Sequence, residues 1–156
     1  MLSLAPKTMR GFSILELMMV SVILAILASM AVLTYMEYTD RAKITEALIH
    51  LGQVRSEASV FYQSMGHFPN QLSELGVNAI HTKYIQSVSL HQPSGNQSLQ
   101  IRAYLDPVRF FRIDAQSNGI MLSSAPSASD GSLQWRCQST SIQGIKAHIL
   151  PGHCRP

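Results

Sequence analysis

The feature that most constrains this chain is an apolar run of membrane-spanning length with a carboxylate at its start. Residues 17–33 are apolar except for Ser21 and Ser29, and Glu16 directly precedes them. At 1.5 Å per helical residue this run spans about 26 Å, close to the thickness of the hydrocarbon core of a bilayer. A carboxylate at the bilayer centre costs roughly 2.5–3.5 kcal/mol, so acidic residues in such segments are usually functional. The sequence therefore predicts a membrane helix in which Glu16 needs a cationic partner.

The flanking residues distinguish a removable secretory signal from a retained anchor. Lys7 and Arg10 form a basic leader, and residues 25–29 offer only a poor cleavage region for a secretory signal. The apolar run is too long for such a signal, and Tyr35 and Tyr38 follow it as aromatic residues typical of a membrane interface. We therefore expect a retained single-pass helix, with the leader on the cytoplasmic side and the rest of the chain outside.

The helical period continues beyond the apolar run and predicts one long helix over about residues 14–64. Apolar residues recur at helical spacing, with charged residues on the opposite face, and Gly66 and Pro69 end the pattern. The apolar positions of this second half are Ile44, Ala47, Leu48, Leu51, Val54, Ala58 and Phe61. The first half is thus expected to be transmembrane and the second half amphipathic, packed on a globular domain.

Strand patterns dominate the remainder of the chain. Strict alternation over Leu99–Leu105 is the clearest signal, and turn residues separate it from three further candidates, Lys83–Leu90, Val108–Ile113 and Gly119–Ser123. A short turn is expected near residues 72–75, and residues 126–132 are rich in Ser and Gly, as in a surface loop. The predicted fold class is α+β, with a four-stranded antiparallel sheet covering the amphipathic half of the helix.

The charge distribution suggests one candidate binding surface. Residues 131–156 contain no Asp or Glu, and their cations Arg136, Lys146 and Arg155 are candidate contacts for the phosphates of DNA. An ordinary solvated edge is the alternative interpretation.

The sequence contains no nucleophile elbow, phosphate-binding loop or His-Glu-x-x-His motif, so we expect neither an enzyme nor a cofactor. His148 and His153 lack a third ligand at suitable spacing, so no metal site is expected.

The junction Gly11-Phe12-Ser13-Ile14-Leu15-Glu16 resembles the class III leader junction of type IV pilins, the type IVa subclass in particular, and of the related pseudopilins. The resemblance implies that a prepilin peptidase cuts between Gly11 and Phe12 and N-methylates Phe12. It also implies that Glu16 pairs with the Phe12 amine of a neighbouring subunit while the helices bundle into a filament. The chain would then comprise a leader (1–11), a transmembrane and polymerisation helix (12–38) and a globular domain (39–156).

The two cysteines and the helix sequence refine this resemblance. Cys137 and Cys154 indicate a single disulfide in an exported domain, and their surroundings are similar to the disulfide-bounded C-terminal loop of type IVa pilins. Two free thiols are the alternative. Ala25 and Leu33 stand where many family members carry Gly and Pro, so this helix lacks the residues that favour local melting.

Several functions fit this resemblance. The first is a structural subunit of a type IV pilus that supports adhesion, twitching motility or DNA uptake. The others are a minor DNA-binding pilin of a competence pilus and a pseudopilin of type II secretion. If the resemblance is accidental, the chain is a plain single-pass membrane protein with an uncut N-terminus and an incidental Glu16. The implied partners are further copies of the chain, the prepilin peptidase, the assembly machinery of the inner membrane and, for the second function, extracellular DNA. The implied location is the inner membrane before assembly and the extracellular filament afterwards.

Overall fold

The computed structural model describes residues 11–77, 80–93, 97–127 and 132–155. The chain divides into two compact units, Met1–Tyr35 and Met36–Pro156. Helix α1 (Ile14–Met65) contributes to both, and by length and composition it contains a segment apolar enough to cross a membrane. The predicted bounds of this helix are confirmed to within one residue.

Both ends of α1 have a local cause. The backbone N–H of Leu17 donates to the carbonyl of Ser13 at 3.2 Å, which sets the first turn. At the other end Gly66 adopts φ +74° and donates to the carbonyl of Tyr62 at 2.9 Å. Glycine takes this left-handed conformation without the steric cost that a Cβ would add, so Gly66 ends the helix as predicted.

The second unit contains one antiparallel sheet whose strands follow the chain order. The strands are β1 (Ile85–His91), β2 (Leu99–Leu105), β3 (Gly119–Pro126) and β4 (Leu133–Ser139). Across the sheet Ile101 of β2 lies opposite Leu90 of β1 and Leu122 of β3, and Leu122 in turn lies opposite Cys137 of β4. Short 3₁₀ turns cover Leu72–Leu75, Pro107–Arg109 and Gly152–Cys154.

The core of the second unit lies between one face of α1 and one face of the sheet. Alternate residues of β2 are wholly buried, and the same core contains residues of α1 at helical spacing. The buried positions of the helix are Ile44, Ala47, Leu51, Val54 and Ala58. Each buried Leu or Ile side chain contributes about 1.5–3 kcal/mol, so this face fixes the sheet on the helix. The predicted α+β layer pair is confirmed.

One predicted strand was wrong. Val108–Ile113 is not a strand, because Pro107 starts a 3₁₀ turn that the Asp106 carboxylate caps by accepting from the backbone N–H of Val108 at 3.1 Å. The backbone N–H groups of Phe111 and Arg112 donate to the carboxylate of Asp40 instead of to a neighbouring strand. A side chain distant in sequence thus takes the donors that a sheet ladder would need.

The fourth strand is β4, which is not among the strands predicted from the sequence. Leu133, Trp135 and Cys137 alternate toward the core, while Gln134 and Arg136 are exposed. This alternation of half-buried and exposed residues is the signal that could have identified the strand. Of the loop predicted at residues 126–132, Pro126 ends β3 and residues 128–131 lie outside the described part of the chain.

Candidate functional site

The proposed processing junction lies at the exposed start of α1. Gly11 and Phe12 precede the helix, and the Phe12 side chain is 82% exposed. Glu16 lies in the first turn, where the positive end of the helix dipole favours a negative side chain. An α-amino group created at Phe12 would be four residues, about one helical turn, from Glu16 in the same chain. The segment therefore combines an accessible junction with an anionic helix start.

The apolar segment of α1 presents its side chains outward. Leu17, Leu24, Leu27 and Leu33 are all exposed in the single chain. The hydroxyl groups of the two serines in this segment form hydrogen bonds within the helix. The hydroxyl of Ser21 donates to the carbonyl of Met18 at 2.8 Å, and that of Ser29 donates to the carbonyl of Ile26 at 2.7 Å. Backbone and hydroxyl groups are thus paired within the helix, as a lipid or protein environment requires.

The disulfide closes the C-terminal loop onto the sheet. Cys137 on β4 is bonded to Cys154 in the last 3₁₀ turn, as expected, and the Cys154 side chain is wholly buried. Between them Gly144 pairs with Gly119 at the start of β3. A Cβ on Gly144 would lie 2.2 Å from the carbonyl oxygen of Thr140, so only glycine fits this close approach.

A second link joins this loop to the helix. The Nε of Arg41 donates to the carbonyl oxygen of His148 at 3.1 Å, and its guanidinium also pairs with Glu37 one turn earlier on α1. Arg155 donates from Nε to the carbonyl oxygen of Leu150 at 3.1 Å. Two arginines therefore stabilise the loop through its backbone, and the part of the chain between the cysteines has a defined position on the second unit.

Two of the three candidate DNA contacts line one groove. Arg136 and Arg155 border a groove of about 850 Å³, together with Arg55 of α1 and His153. Among the described residues none that lines it is acidic. Sequence reasoning missed Arg55, since it lies far from the acid-free tail, and its position on α1 becomes meaningful only once β4 packs alongside. The groove is therefore a cationic surface built from three separate segments.

Lys146 does not line this groove. It lies close enough to Asp114 for its positive charge to help lower the pKa of that carboxyl group. The hydroxyl of Ser117 donates to the Asp114 carboxylate at 2.9 Å and is the main cause that lowers the pKa of Asp114. Partial desolvation opposes this shift, while the backbone N–H groups of Gln116 and Ser117 and the charge of Lys146 support it. The positive charge of Lys146 is thus partly offset by a neighbouring carboxylate.

Cys137, Cys154 and His153 form the one cluster of metal-ligand residue types found among the described positions. Their candidate ligand atoms lie within 4.8 Å of one another. Both sulfur atoms are joined in the disulfide, and a cysteine binds zinc as the free thiolate and not as a disulfide. The cluster in its disulfide form therefore offers His153 alone as a metal ligand.

Sequence reasoning missed a tightly held loop that follows β2, which we call the basic loop (Pro107–Arg112). The wholly buried carboxylate of Asp40 accepts from the backbone N–H of Phe111 at 3.0 Å and of Arg112 at 2.8 Å. Lys43 pairs with Asp40 at 3.4 Å and donates to the carbonyl oxygen of Arg109 at 2.6 Å. These bonds satisfy the buried charge and fix the loop on α1.

Comparison with protein families gives two matches. The model described as "Pilin (bacterial filament)" matches residues 41–155, and the model described as "Prokaryotic N-terminal methylation motif" matches residues 6–32. The second match includes the junction between Gly11 and Phe12 and most of the apolar run.

Curated proteins with similar sequences carry fimbrial and pilin names. "Fimbrial protein EcpC" of Eikenella corrodens is 28% identical over 96% of this chain and 92% of its own length. "Type IV major pilin protein PilE" of Neisseria gonorrhoeae is 28% identical over 82% of this chain and 73% of its own length. A "Probable minor fimbrial protein" of Dichelobacter nodosus is 39% identical over 31% of each chain.

Proposed function

Because the chain belongs to the pilin family of bacterial filament proteins, we propose that it is a precursor matured by one cut and one methylation. A prepilin peptidase cuts between Gly11 and Phe12 and methylates the new Phe12 amine. The mature subunit then polymerises through α1. The chain is a structural subunit of a type IV filament and not an enzyme.

The observation that carries this proposal is the position of Glu16 at the head of an apolar helix. In a helix bundle a carboxylate surrounded by apolar side chains needs a cation, because an unpaired charge in low dielectric is strongly destabilising. The α-amino group of Phe12 on a neighbouring copy supplies that cation once the leader has been removed. Pairing of Glu16 with this amine sets the axial register of the incoming subunit.

The subunit occupies one location before assembly and another afterwards. Before assembly α1 anchors it in the inner membrane, with the second unit outside, where an oxidising compartment favours the Cys137–Cys154 disulfide. After assembly it is part of an extracellular pilus. The membrane assembly machinery transfers it between these states, and the filament supports adhesion, twitching motility or DNA uptake.

Replacing Gly11 is expected to block maturation. Gly11→Val introduces a branched side chain at the cut, where a residue without a side chain fits the protease. Co-expression with a prepilin peptidase followed by intact mass measurement should show the native chain shortened by residues 1–11 and carrying one methyl group, and the variant full length. Gly152→Val is the matched control, since a Cβ there meets nothing within 4 Å. Normal cleavage of Gly11→Val would contradict the assignment of the junction.

A second candidate function is DNA binding by the assembled filament, and one observation favours it. Arg136 and Arg155, predicted from the sequence, line the same groove as Arg55 and His153, and no acid borders it among the described residues. Clustered cations bind phosphates by releasing condensed counterions, which makes affinity fall as salt rises. Lys146, beside Asp114, would contribute less than the groove arginines.

Charge reversal in the groove is expected to weaken DNA binding by sheared filaments. Arg136→Glu should reduce affinity for duplex DNA about tenfold. It should also reduce the slope of log affinity against log salt concentration by about one to two, the loss of one or two phosphate contacts. Lys146→Glu should have a smaller effect. Lys83→Glu, which reverses an exposed cation outside the groove, is the control. Equal affinity of native and Arg136→Glu filaments in a titration from low to physiological salt would remove this function.

A further inference from the structure

The basic loop presents apolar side chains to solvent from a fixed backbone. Val108 is 87% exposed and Phe111 is 61% exposed, whereas the neighbouring Phe110 is buried in the core. The Nζ of Lys43 lies 4.7 Å from the centroid of the Phe111 ring, which holds a cation beside this exposed ring. The loop is therefore an ordered apolar surface, and its exposure in the single chain suggests that another molecule covers it.

The outward face of α1 in the second unit carries a complementary set of residues, which we call the acidic stripe. It consists of Glu46, Ile49, Gln53, Glu57 and Val60, all exposed. Their spacing of three or four residues places them along one side of the helix. The stripe lies opposite the face that packs on the sheet and combines two carboxylates with two large apolar side chains.

Part of the charge on the two surfaces has no ion-pair partner among the described residues. Arg112 has no ion pair within the described residues, and neither do Glu46 and Glu57. Arg109 pairs with Asp106 at 3.7 Å, with both side chains substantially exposed. One surface thus offers a cation with apolar neighbours, and the other offers carboxylates with apolar neighbours.

We propose that the basic loop of one subunit docks on the acidic stripe of the next subunit. Arg112 faces Glu57 in this contact, and Val108 and Phe111 pack along the part of the stripe between Gln53 and Val60. The contact is heterologous, because it joins two different surfaces, and repeated heterologous contacts generate open helical filaments when they do not close into a ring. It rests on the proposed filament function and adds to the helix bundle a contact between globular units.

The dimensions and charges favour a second copy over other occupants. The part of the stripe from Gln53 to Val60 extends about 10 Å along the helix, and Val108 and Phe111, three residues apart, can span up to about 10 Å. Each copy carries both halves, so every subunit gives and receives one contact. An anionic lipid surface would suit the loop but would be repelled by the carboxylates of the stripe.

A charge swap tests this contact. Arg112→Glu and Glu57→Arg should each reduce the yield of sheared filaments about fivefold at equal cellular levels of processed subunit, because each places like charges in the contact. The double variant Arg112→Glu/Glu57→Arg should recover most of the native yield, since it restores an opposite-charge pair. Glu74→Lys, which reverses an exposed charge in the 3₁₀ turn Leu72–Leu75, is the control for a charge reversal outside both surfaces.

The yields of the single and double variants decide whether this contact exists. A double variant as poor as either single variant, or single variants that assemble as the native chain does, would overturn the contact. If hydrogen exchange of the basic loop slows in full-length monomer on phosphatidylglycerol nanodiscs and the double variant gives no recovery, the occupant is lipid and the proposal fails. Measuring Phe12 processing in every variant separates these results from a failure of the proposed function, which would appear as an uncut chain.

Discussion

Glu16→Gln is expected to leave the leader cleavage intact and to abolish filaments. The amide keeps the shape of the side chain but cannot neutralise the Phe12 amine of the neighbouring copy. Removing one member of a buried ion pair costs about 3–5 kcal/mol, which corresponds to a loss of at least a hundredfold in assembly. The measurement is the amount of subunit released by shearing cells, divided by the amount of processed subunit in whole cells.

Glu37→Gln is the control for this experiment, since it removes a carboxylate on the same helix in the second unit. Glu37 pairs with Arg41 near the surface, where such pairs are worth at most about 1 kcal/mol. Glu37→Gln filaments should therefore form nearly normally. Filaments of Glu16→Gln at native yield would show that Glu16 has no pairing role in assembly.

Asp40→Ala is expected to destabilise the second unit more than any other single loss of a carboxylate described above. The substitution leaves the backbone N–H groups of Phe111 and Arg112 and the ammonium of Lys43 without their shared acceptor. With a wholly buried carboxylate as the acceptor, the expected loss is about 3–5 kcal/mol of unfolding free energy. Urea unfolding of the full chain in detergent measures it.

Asp114→Ala provides the comparison for Asp40→Ala. Asp114 is an exposed carboxylate that also accepts hydrogen bonds from a local turn, through the backbone of Gln116 and the hydroxyl of Ser117. Its removal should lower the urea midpoint far less than Asp40→Ala does, because water can replace the lost hydrogen bonds of an exposed turn. Equal losses for the two variants would mean that Asp40 does not hold the basic loop in place.

The parts of the fold that depend on local patterns could be predicted from the sequence. The helical period fixed α1 to within one residue, and the alternation in Leu99–Leu105 identified β2. The strand predicted at Val108–Ile113 was wrong because its backbone donors are taken by Asp40, some 70 residues away in sequence. The helical spacing places Asp40 on the same face as the buried Ile44, but no local pattern reveals which distant backbone donors its carboxylate binds.

The candidate sites could likewise be predicted only where their signal is local in the sequence. Gly11, Phe12 and Glu16 could be predicted because their order along the chain is itself the signal, and the matched methylation motif spans these positions. The cationic surface was found only in part, because counting charges along the tail selected Lys146 and omitted Arg55. The side chains that meet in the groove come from α1, β4 and the C-terminal turn, so their proximity depends on the tertiary fold.

The central claim is that this chain is cut after Gly11, methylated at Phe12 and polymerised. The most direct measurement is the intact mass and N-terminal sequence of the subunit recovered from sheared surface filaments. We expect a chain that begins with N-methylated Phe12 and carries the Cys137–Cys154 disulfide. A filament subunit beginning at Met1, or filaments that lack this chain while cells contain it in membranes, would contradict the account.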